Sequence, residues 1–595
     1  MTSLPQSTDA DPSTEADRDL AGPAFDLARI PFSYRGSWLN LSPIVGLHQR
    51  SADVHLVSHR TNLTAVLALR PVYCGAPVAA ACRPTPASLT WGTPEGTVEA
   101  VFASTDTMRL RGRGLGLILA AAESSLTPFT GTYLFQDPVD GSWTFTSYET
   151  GRRYRITVLS GRATADGVEA LGAAVRQVVV DGDDGEGWEV ALEETDTARE
   201  PFVPAESFDD AVSRVGAEFG AYVDAIAPWR SSQTPAAALA AYVLWSATVE
   251  PAGFVGREAV LMSMHWMDSV WSWDHCFNAL ALSNLPELAL DQFLLPFDHQ
   301  DDTGALPDSV THSRVLRNYV KPPIHGWALT WLRQRLPHGI DRPRLETLYD
   351  GLARWSAFWL EHRIGAGRRL PAYHHGNDSG WDNSTVFDAD RVVEAADLSA
   401  FLALQLDTLA ALADELGRPD DAERWRRRAD ALVQDLVSEL WDGERFVAAA
   451  PLSGRRSPSR SLLTTLPIVA ARRLPPDVVH ELAEQIGALL TEHGPSTEPI
   501  DSPHYEADGY WRGPIWAPST LLVEDGLRRA GFVDLADEVS VRFRRLCERS
   551  GFAENFDART GEGLRDRAYT WTAAAYLVLA GDHLARCSPD RTAAR

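Results

Sequence analysis

Hydrophobic and polar positions follow two different periods along this chain. From about residue 25 to residue 195 the period is two. Trp143-Thr-Phe-Thr-Ser-Tyr148 alternates large apolar with small polar side chains, Glu149-Thr-Gly-Arg152 interrupts, and Tyr154-Arg-Ile-Thr-Val158 alternates again. That pattern predicts a β-hairpin, with Gly151 supplying the turn. Val178-Val-Val180 and Trp188-Glu-Val-Ala-Leu192 repeat the design across a longer loop, Asp181 to Gly187, and predict a second hairpin. Frequent Gly and Pro between such runs indicate short strands in an antiparallel sandwich.

Beyond Pro235 the period changes to about 3.6. Leu402, Leu406, Leu409, Ala413 and Leu416 share one face of a helix that Gly417 ends, and Pro419 prevents its resumption. Ala422, Trp425, Ala429, Leu432 and Val433 mark the next helix. Similar units run to about residue 588, and at roughly 30 residues per helix and loop they make on the order of twelve helices. No short repeat is visible, which disfavours a solenoid. Periodicity leaves a double ring and an irregular bundle open. A helical stretch near Ser207 to Ala227 joins the two halves. The expected organisation is multidomain: a disordered tail over 1–24, an antiparallel β-sandwich over 25–204, a helical linker over 205–234 and an all-α domain over 235–588.

Composition narrows the function. With 595 residues, 45% of them hydrophobic, the chain can bury a large core. Its 81 acidic against 55 basic residues give a net charge of −26. Such a surface repels nucleic acid and anionic membranes, and suits a neutral small-molecule partner such as a carbohydrate. No run of about 18 apolar residues suggests a membrane span. Met1 to Gly22 lacks the basic and apolar regions of a secretory signal, so the expected location is the cytoplasm. Cys74, Cys82, Cys276, Cys547 and Cys587 are odd in number and lack CxxC spacing. They are read as free buried thiols, although Cys74 and Cys82 could pair.

Four segments carry the candidate chemistry: Trp271-Ser-Trp-Asp-His-Cys-Phe277, His374 to Ser384, Tyr510-Trp-Arg-Gly-Pro-Ile-Trp516 and Glu554-Asn-Phe-Asp557. Each mixes aromatic side chains with carboxylates, amides or Arg. Aromatic faces suit the apolar faces of sugar rings, and two carboxylates can hydrolyse an acetal. Gly376, Gly380, Gly509 and Gly513 would let backbone come close to a ligand or to a neighbouring helix. Asp298 to Gly304 has a calcium-like composition but lacks EF-hand spacing and the closing Glu, so it is read as a solvated turn. His374-His375 is not at metal-ligand spacing. GxSxG, Walker A and GxGxxG contexts do not occur, and neither metal nor cofactor is expected.

Taken in order, these segments resemble the inverting α-glycosidases built on an (α/α)6 barrel, glycoside hydrolase family 63 above all and trehalases more distantly. Trp273-Asp-His-Cys-Phe277 is similar to the WDxxF of that clan, whose Asp holds sugar hydroxyls. Ser379-Gly-Trp-Asp382 is similar to the SGWD that carries the general acid. Tyr510 to Trp516 resembles the YWRGPIW that lines the sugar site, and Glu554-Asn-Phe-Asp557 the element whose Glu is the general base. Lys321-Pro-Pro323 matches a loop of the same barrel. No Arg stands in His265 to Ser272, where trehalases have one, which counts against trehalose. The resemblance implies an (α/α)6 catalytic barrel over 235–588 and an inverting exo-acting hydrolase, an α-glucosidase on short α-glucosides. It implies Asp382 as the protonated acid and Glu554 as the ionised base, with Asp378 in reserve for the acid. Trp273, Asp274, Phe277, Trp327, Trp381, Asn383, Tyr510, Trp511, Arg512, Gly513 and Trp516 would shape the pocket. The alternatives are a mannosylglycerate or glucosylglycerate hydrolase, which needs a basic group for the carboxylate, and a non-catalytic carbohydrate-binding protein.

Overall fold

The computed structural model describes residues 22–182 and 187–587. The expected tail, up to residue 21, and most of the loop between Asp181 and Gly187 lie outside the described residues. The chain divides into two compact units at Ala225/Ile226.

The first unit is two antiparallel sheets. One runs in the order 32–33, 39–46, 49–58, 64–73, 116–121, 177–181 and 162–166; the other in the order 132–136, 143–147, 153–160, 188–195, 107–113, 96–104, 89–93 and 81–84. Alternate residues of both sheets point into one core, Leu41, Leu56, Leu69, Leu117 and Val180 meeting Trp91, Met108, Phe145, Ile156 and Leu192. The hairpin at Gly151 forms as the alternation predicts, with Trp143 opposite Ile156, Phe145 opposite Tyr154, and φ 64° at the glycine. The second expected hairpin does not form. Gln177–Asp181 pairs with Gly116–Ala121 and Arg162–Asp166 in the first sheet, whereas Trp188–Thr195 pairs with Arg153–Ser160 and Thr107–Arg113 in the second. Alternation shows which face of each strand is buried but not which sheet receives it. A helix, Phe208–Ile226, follows the last strand.

Besides two short turns, Gly376–Ser379 and Thr385–Phe387, the second unit is built from twelve longer helical segments among the described residues: α1 (Ala237–Ala247), α2 (His275–Ala281), α3 (Pro286–Asp298), α4 (His325–Arg335), α5 (Arg342–His362), α6 (Ala396–Glu415), α7 (Pro419–Leu440), α8 (Leu462–Arg473, wound as 3-10 turns), α9 (Pro476–Leu489), α10 (Ala517–Ala530), α11 (Val533–Ser550) and α12 (Thr570–Cys587). The even-numbered helices form a closed ring. Each packs on the next, α2 on α4, α4 on α6, α6 on α8, α8 on α10, α10 on α12, and α12 returns to α2. The odd-numbered helices pack outside them, as α7 does on α6, α9 on α8 and α11 on α10.

This is the double ring that periodicity left undecided, and burial shows why each sequence takes its place. The outer helix α7 buries one stripe, Ala422, Trp425, Ala429, Leu432, Val433, Leu436 and Leu440. The inner helix α6 is buried nearly all round, Ala400, Phe401, Leu402 and Ala403 in succession. For the same reason it is the one described helix long and apolar enough to cross a membrane, although it is a core helix here.

The connections are asymmetric. Inner helices hand over to outer ones through short turns, 282–285, 416–418, 474–475 and 531–532. Outer helices hand over to inner ones through long loops, 248–274, 299–324, 363–395, 441–461, 490–516 and 551–569. All the long loops therefore lie at one end of the barrel, where the inner helices begin. All five cysteines are free, but only Cys276 and Cys547 are buried; Cys74, Cys82 and Cys587 are exposed, contrary to expectation.

Candidate active site

Every candidate segment falls on one of the long loops, the first running on into α2. Asp274 precedes α2, Asp382 precedes α6, Tyr510 to Trp516 precedes α10, and Glu554 precedes α12. The loops are stitched into a circuit. Gly380 lies against Trp273 so closely that a Cβ would sit 2.4 Å from its ring, and its φ of 74° is left-handed. That joins the first segment to the second. Asn383 joins the second to the third: its Oδ1 accepts from Trp511 N–H at 3.0 Å, its Nδ2 donates to Gly509 O at 3.0 Å, and its backbone O accepts from Arg512 Nε at 2.8 Å. Ile515 and Phe556 exchange backbone hydrogen bonds of 2.7 and 3.0 Å, joining the third to the fourth. Trp571 packs edge-on to both Trp273 and Trp516, which closes the circuit.

The aromatic residues form one continuous cluster. Trp511 stacks on Trp516 with centroids 3.9 Å apart and packs on Trp381 at 4.5 Å. Trp273 meets Phe277, and Phe277 meets Trp327. Trp273, Phe277, Trp327, Trp381, Trp511 and Trp516 are all buried, and they cover one another's faces. Trp327 also donates its indole N–H to Asp525 at 2.7 Å. These rings wall the site by packing; they are not open platforms. Tyr510, Asn383, Arg512 and Asp382 keep partial exposure. Gly513 is buried, its φ of 153° letting Glu506 O and the Tyr505 ring come close.

The carboxylates form two groups. On one side stand Asp274 and Asp382. Burial raises Asp274 to about 8; Lys321 opposes this, while Asp308 and Asp382 add to it. Its Oδ2 is buried with no protein partner. Burial also raises Asp382, against the Lys321 charge and with that of Asp308. A tight turn holds it, Ser379 Oγ donating to Gly376 O at 2.7 Å and accepting from Trp381 N–H at 3.1 Å. Gly376 has no room for a Cβ, which would stand 2.2 Å from Asp382 O. Asp378, by contrast, is saturated: Oδ1 accepts from Val320 N–H, and Oδ2 from His374 N–H and Arg363.

On the other side stands Glu554, only 3% exposed. Burial and the charge of Asp566 push it up to about 8, against Arg565 and a hydrogen bond from Tyr510. The resemblance implied an ionised base near water; burial here disfavours the ionised form. Tyr510 links the two groups, lying within the influence of both Glu554 and Asp382, and its φ of 63° is left-handed. Tyr569, fully buried, lies within the influence of Glu554, Asp274 and Asp566.

Several of these partners carried no motif. Asp566 accepts from Ser263 Oγ at 2.6 Å and pairs with His265 Nδ1 at 2.9 Å; burial pushes it up, but these bonds hold it below the usual carboxylate range. His265 and Asp566 are separated by 301 positions, so spacing could not reveal the pair. Arg512 is engaged, pairing with Asp388 as well as with Asn383 O. The Asp298–Gly304 turn closes on Asp301, which accepts from Thr303 and Ala305 N–H. A cavity of about 840 Å³ elsewhere in the barrel, lined by Arg445, Arg460, Glu481, Gln485 and Ile500, contains none of the candidate residues.

The chain is similar to known proteins in sequence and in fold. Over 400 residues the chain is 26% identical to a mannosylglycerate hydrolase of Rubrobacter radiotolerans, covering 52% of this chain and 89% of that one. Over 452 residues it is 24% identical to a glucosylglycerate hydrolase of Mycolicibacterium hassiacum, covering 58% and 97%. A bacterial glucoamylase structure in complex with acarbose shares the fold across 95% of this chain, with a TM-score of 0.61 at 12% identity. Residues 267–572, which hold all four segments, match the mannosylglycerate hydrolase MGH1-like glycoside hydrolase domain, and the chain belongs to that family of glycoside hydrolases.

Proposed function

We propose that this enzyme hydrolyses an α-glycoside of glycerate, with a mannosyl or glucosyl residue as the sugar, by an inverting mechanism. The observation that carries the reading is that two hydrolases of glycerate glycosides match this chain over 89% and 97% of their own lengths, which is 52% and 58% of this chain. This replaces the α-glucosidase expectation, which rested on motifs lining the sugar. Those motifs are silent about the aglycone. Arg512 and Arg565 are part-exposed cations near the site, and in this reading the glycerate carboxylate displaces Asp388 or Asp508 as the partner of one of them.

In this mechanism Asp382, whose charged form burial disfavours, donates a proton to the glycosidic oxygen. Glu554 takes a proton from the attacking water on the opposite face of the sugar, the pair being about 6.5–9.5 Å apart in inverting enzymes. Asp274, with its unpartnered Oδ2, accepts from sugar hydroxyls. Asp378 is set aside as the acid because its oxygens are occupied. Asn383 acts as the brace between loops, and Trp273, Phe277, Trp327, Trp381, Trp511 and Trp516 form the wall.

The test is hydrolysis of α-mannosylglycerate, α-glucosylglycerate and α-linked disaccharides side by side. D-glycerate should be released at least about ten times faster than glucose from any disaccharide, a difference of roughly 1.4 kcal/mol in transition-state binding. Turnover of disaccharides alone would return the α-glucosidase reading. No turnover, with sugar binding retained, would favour a binding protein. Proton NMR of the first-formed sugar should show the β-anomer.

A further inference from the structure

Of the 55 basic residues in this chain one alone is lysine, Lys321; the others are all arginine. It is also buried, at 5% exposed, on the long loop that precedes α4. A sequence that uses arginine at every other basic position, on the surface and in ion pairs, departs from that habit once, inside the site. The two cations differ in ways that matter there. An ammonium is compact and has three rotatable donors, whereas a guanidinium is a wide planar fork.

The contacts of Lys321 connect two of the site's loops. Its Nζ pairs with Asp308 Oδ1 at 2.9 Å. Asp308 in turn accepts through its backbone O from Ser272 N–H at 3.2 Å, and the following residue, Ser309, is the strand partner of Trp271. That anchors the ammonium to the segment bearing Asp274. The same Nζ donates to Asn377 O at 2.7 Å, in the short turn that leads to Asp382. A second tie runs beside it, Val320 N–H donating to Asp378 Oδ1 at 3.1 Å. The charge of Lys321 acts on both Asp274 and Asp382; Asp308 acts on both in the opposite sense, and His375 on Asp382.

We propose that Lys321 is a positioning residue for the acid side of the site: its ammonium holds the loop of Asp274 and the loop of Asp382 together and fixes how the two carboxylates face the sugar. Arginine cannot take its place, because a guanidinium spans the ammonium's position only by pushing Asp308 and Asn377 apart. Loss of the cation leaves Asp274, Asp308 and Asp382 facing one another without compensation.

This inference rests on the assignment of Asp382 and Glu554 above, and the experiment separates the two. Lys321→Arg, Lys321→Met and Lys321→Ala are made in the full chain and assayed on the best glycoside from the hydrolysis screen. Lys321→Arg and Lys321→Met should lower kcat by about 100-fold, the cost of a small misplacement of reacting groups, and change KM far less. Methylammonium should restore part of the lost rate to Lys321→Ala, and guanidinium should not. As a readout independent of turnover, isotopically labelled lysine gives a single side-chain NMR signal in the wild-type protein. That signal should move in Asp274→Asn, in Asp382→Asn and on addition of glucose. Near-wild-type rates in Lys321→Arg, or a rate loss that no amine relieves together with an unmoved lysine signal, would overturn the proposal. If Asp382→Asn is inactive while Lys321→Arg is not, the acid assignment stands and this inference falls. If the wild type hydrolyses no α-glycoside, that assignment falls, and the lysine signal alone decides whether the tie exists.

Discussion

At the residue scale the decisive feature is that burial dominates the carboxylates. Glu554 reaches about 8 because removal from water disfavours its charge more than Arg565 and Tyr510 favour it. With Asp382 replaced by Asn and an activated aryl glycoside as substrate, the ionisations that remain at the sugar are those of Glu554 and Asp274, both raised to about 8. kcat/KM should then rise with pH toward about 8 as Glu554 loses its proton. Arg565→Met should move that limb upward, since the guanidinium opposes burial there. A limb that ignores residue 565 would remove Glu554 as its source. The same burial has a stability consequence. Between the ordinary glutamate range and about 8, folded Glu554 keeps a proton that the unfolded chain has lost. Folding therefore binds protons in that window, and stability contributed by the neutral form is lost as pH rises through it. Glu554→Gln, nearly the same shape and unable to ionise, should unfold at the wild-type temperature near pH 5 and at a clearly higher one near pH 8, while losing turnover. Equal melting temperatures at both pH values would contradict the burial argument.

At the element scale the site's polar groups belong to five loops, those before α2, α4, α6, α10 and α12, rather than to the helices they join. Each inner helix begins where a long loop ends, so functional groups that are far apart in sequence meet at one end of the ring. The contact between Gly380 and Trp273 is one of the joints. Gly380→Ala meets two obstacles, a left-handed φ of 74° and a ring 2.4 Å from the new Cβ. Gly339→Ala meets only the first, at φ 69° with nothing within 4 Å. The left-handed conformation costs about 1–2 kcal/mol for a residue with a Cβ, so Gly339→Ala should lose about that much. Gly380→Ala should lose more, and lose activity as well, because the displaced Trp273 adjoins Asp274. Denaturant unfolding and kcat on the same two variants check this. Equal destabilisation would show that the joint yields freely.

At the scale of the whole molecule, closure of the inner ring depends on the last helix. α12 fills the place between α10 and α2, and brings Trp571 against Trp273 and Trp516. A chain ending at Tyr569 leaves the buried faces of α2 and α10 without their partner. It should lose the cooperative transition of the helical unit and keep at most that of the two-sheet unit, whereas a chain ending at Cys587 should melt as the wild type does. Calorimetry and the helical circular dichroism signal on the two truncations distinguish them. A cooperative loss of helical signal without α12 would show that five inner helices suffice for a barrel.

The sequence alone determined what depends on local periodicity and short motifs. It set the change of period near residue 235, the stripe of α7, the hairpin at Gly151 and the four segments that mix aromatic with polar side chains. The resemblance of those segments to a known clan singled out Asp274, Asp382 and Glu554 as site residues. Tertiary structure decided the rest, because the deciding contacts join positions hundreds of residues apart. Only the fold shows that Val178–Val180 and Trp188–Leu192 enter different sheets, since alternation marks a buried face but not its partner. Only the fold shows that Trp381, Trp511 and Trp516 cover one another and so pack as a wall. His265 meets Asp566 across 301 positions, and Lys321 ties two loops through a side chain and a carbonyl. Those pairings, and the dry surroundings that raise Glu554, come from ring closure, which removes water from groups that no stretch of sequence brings together.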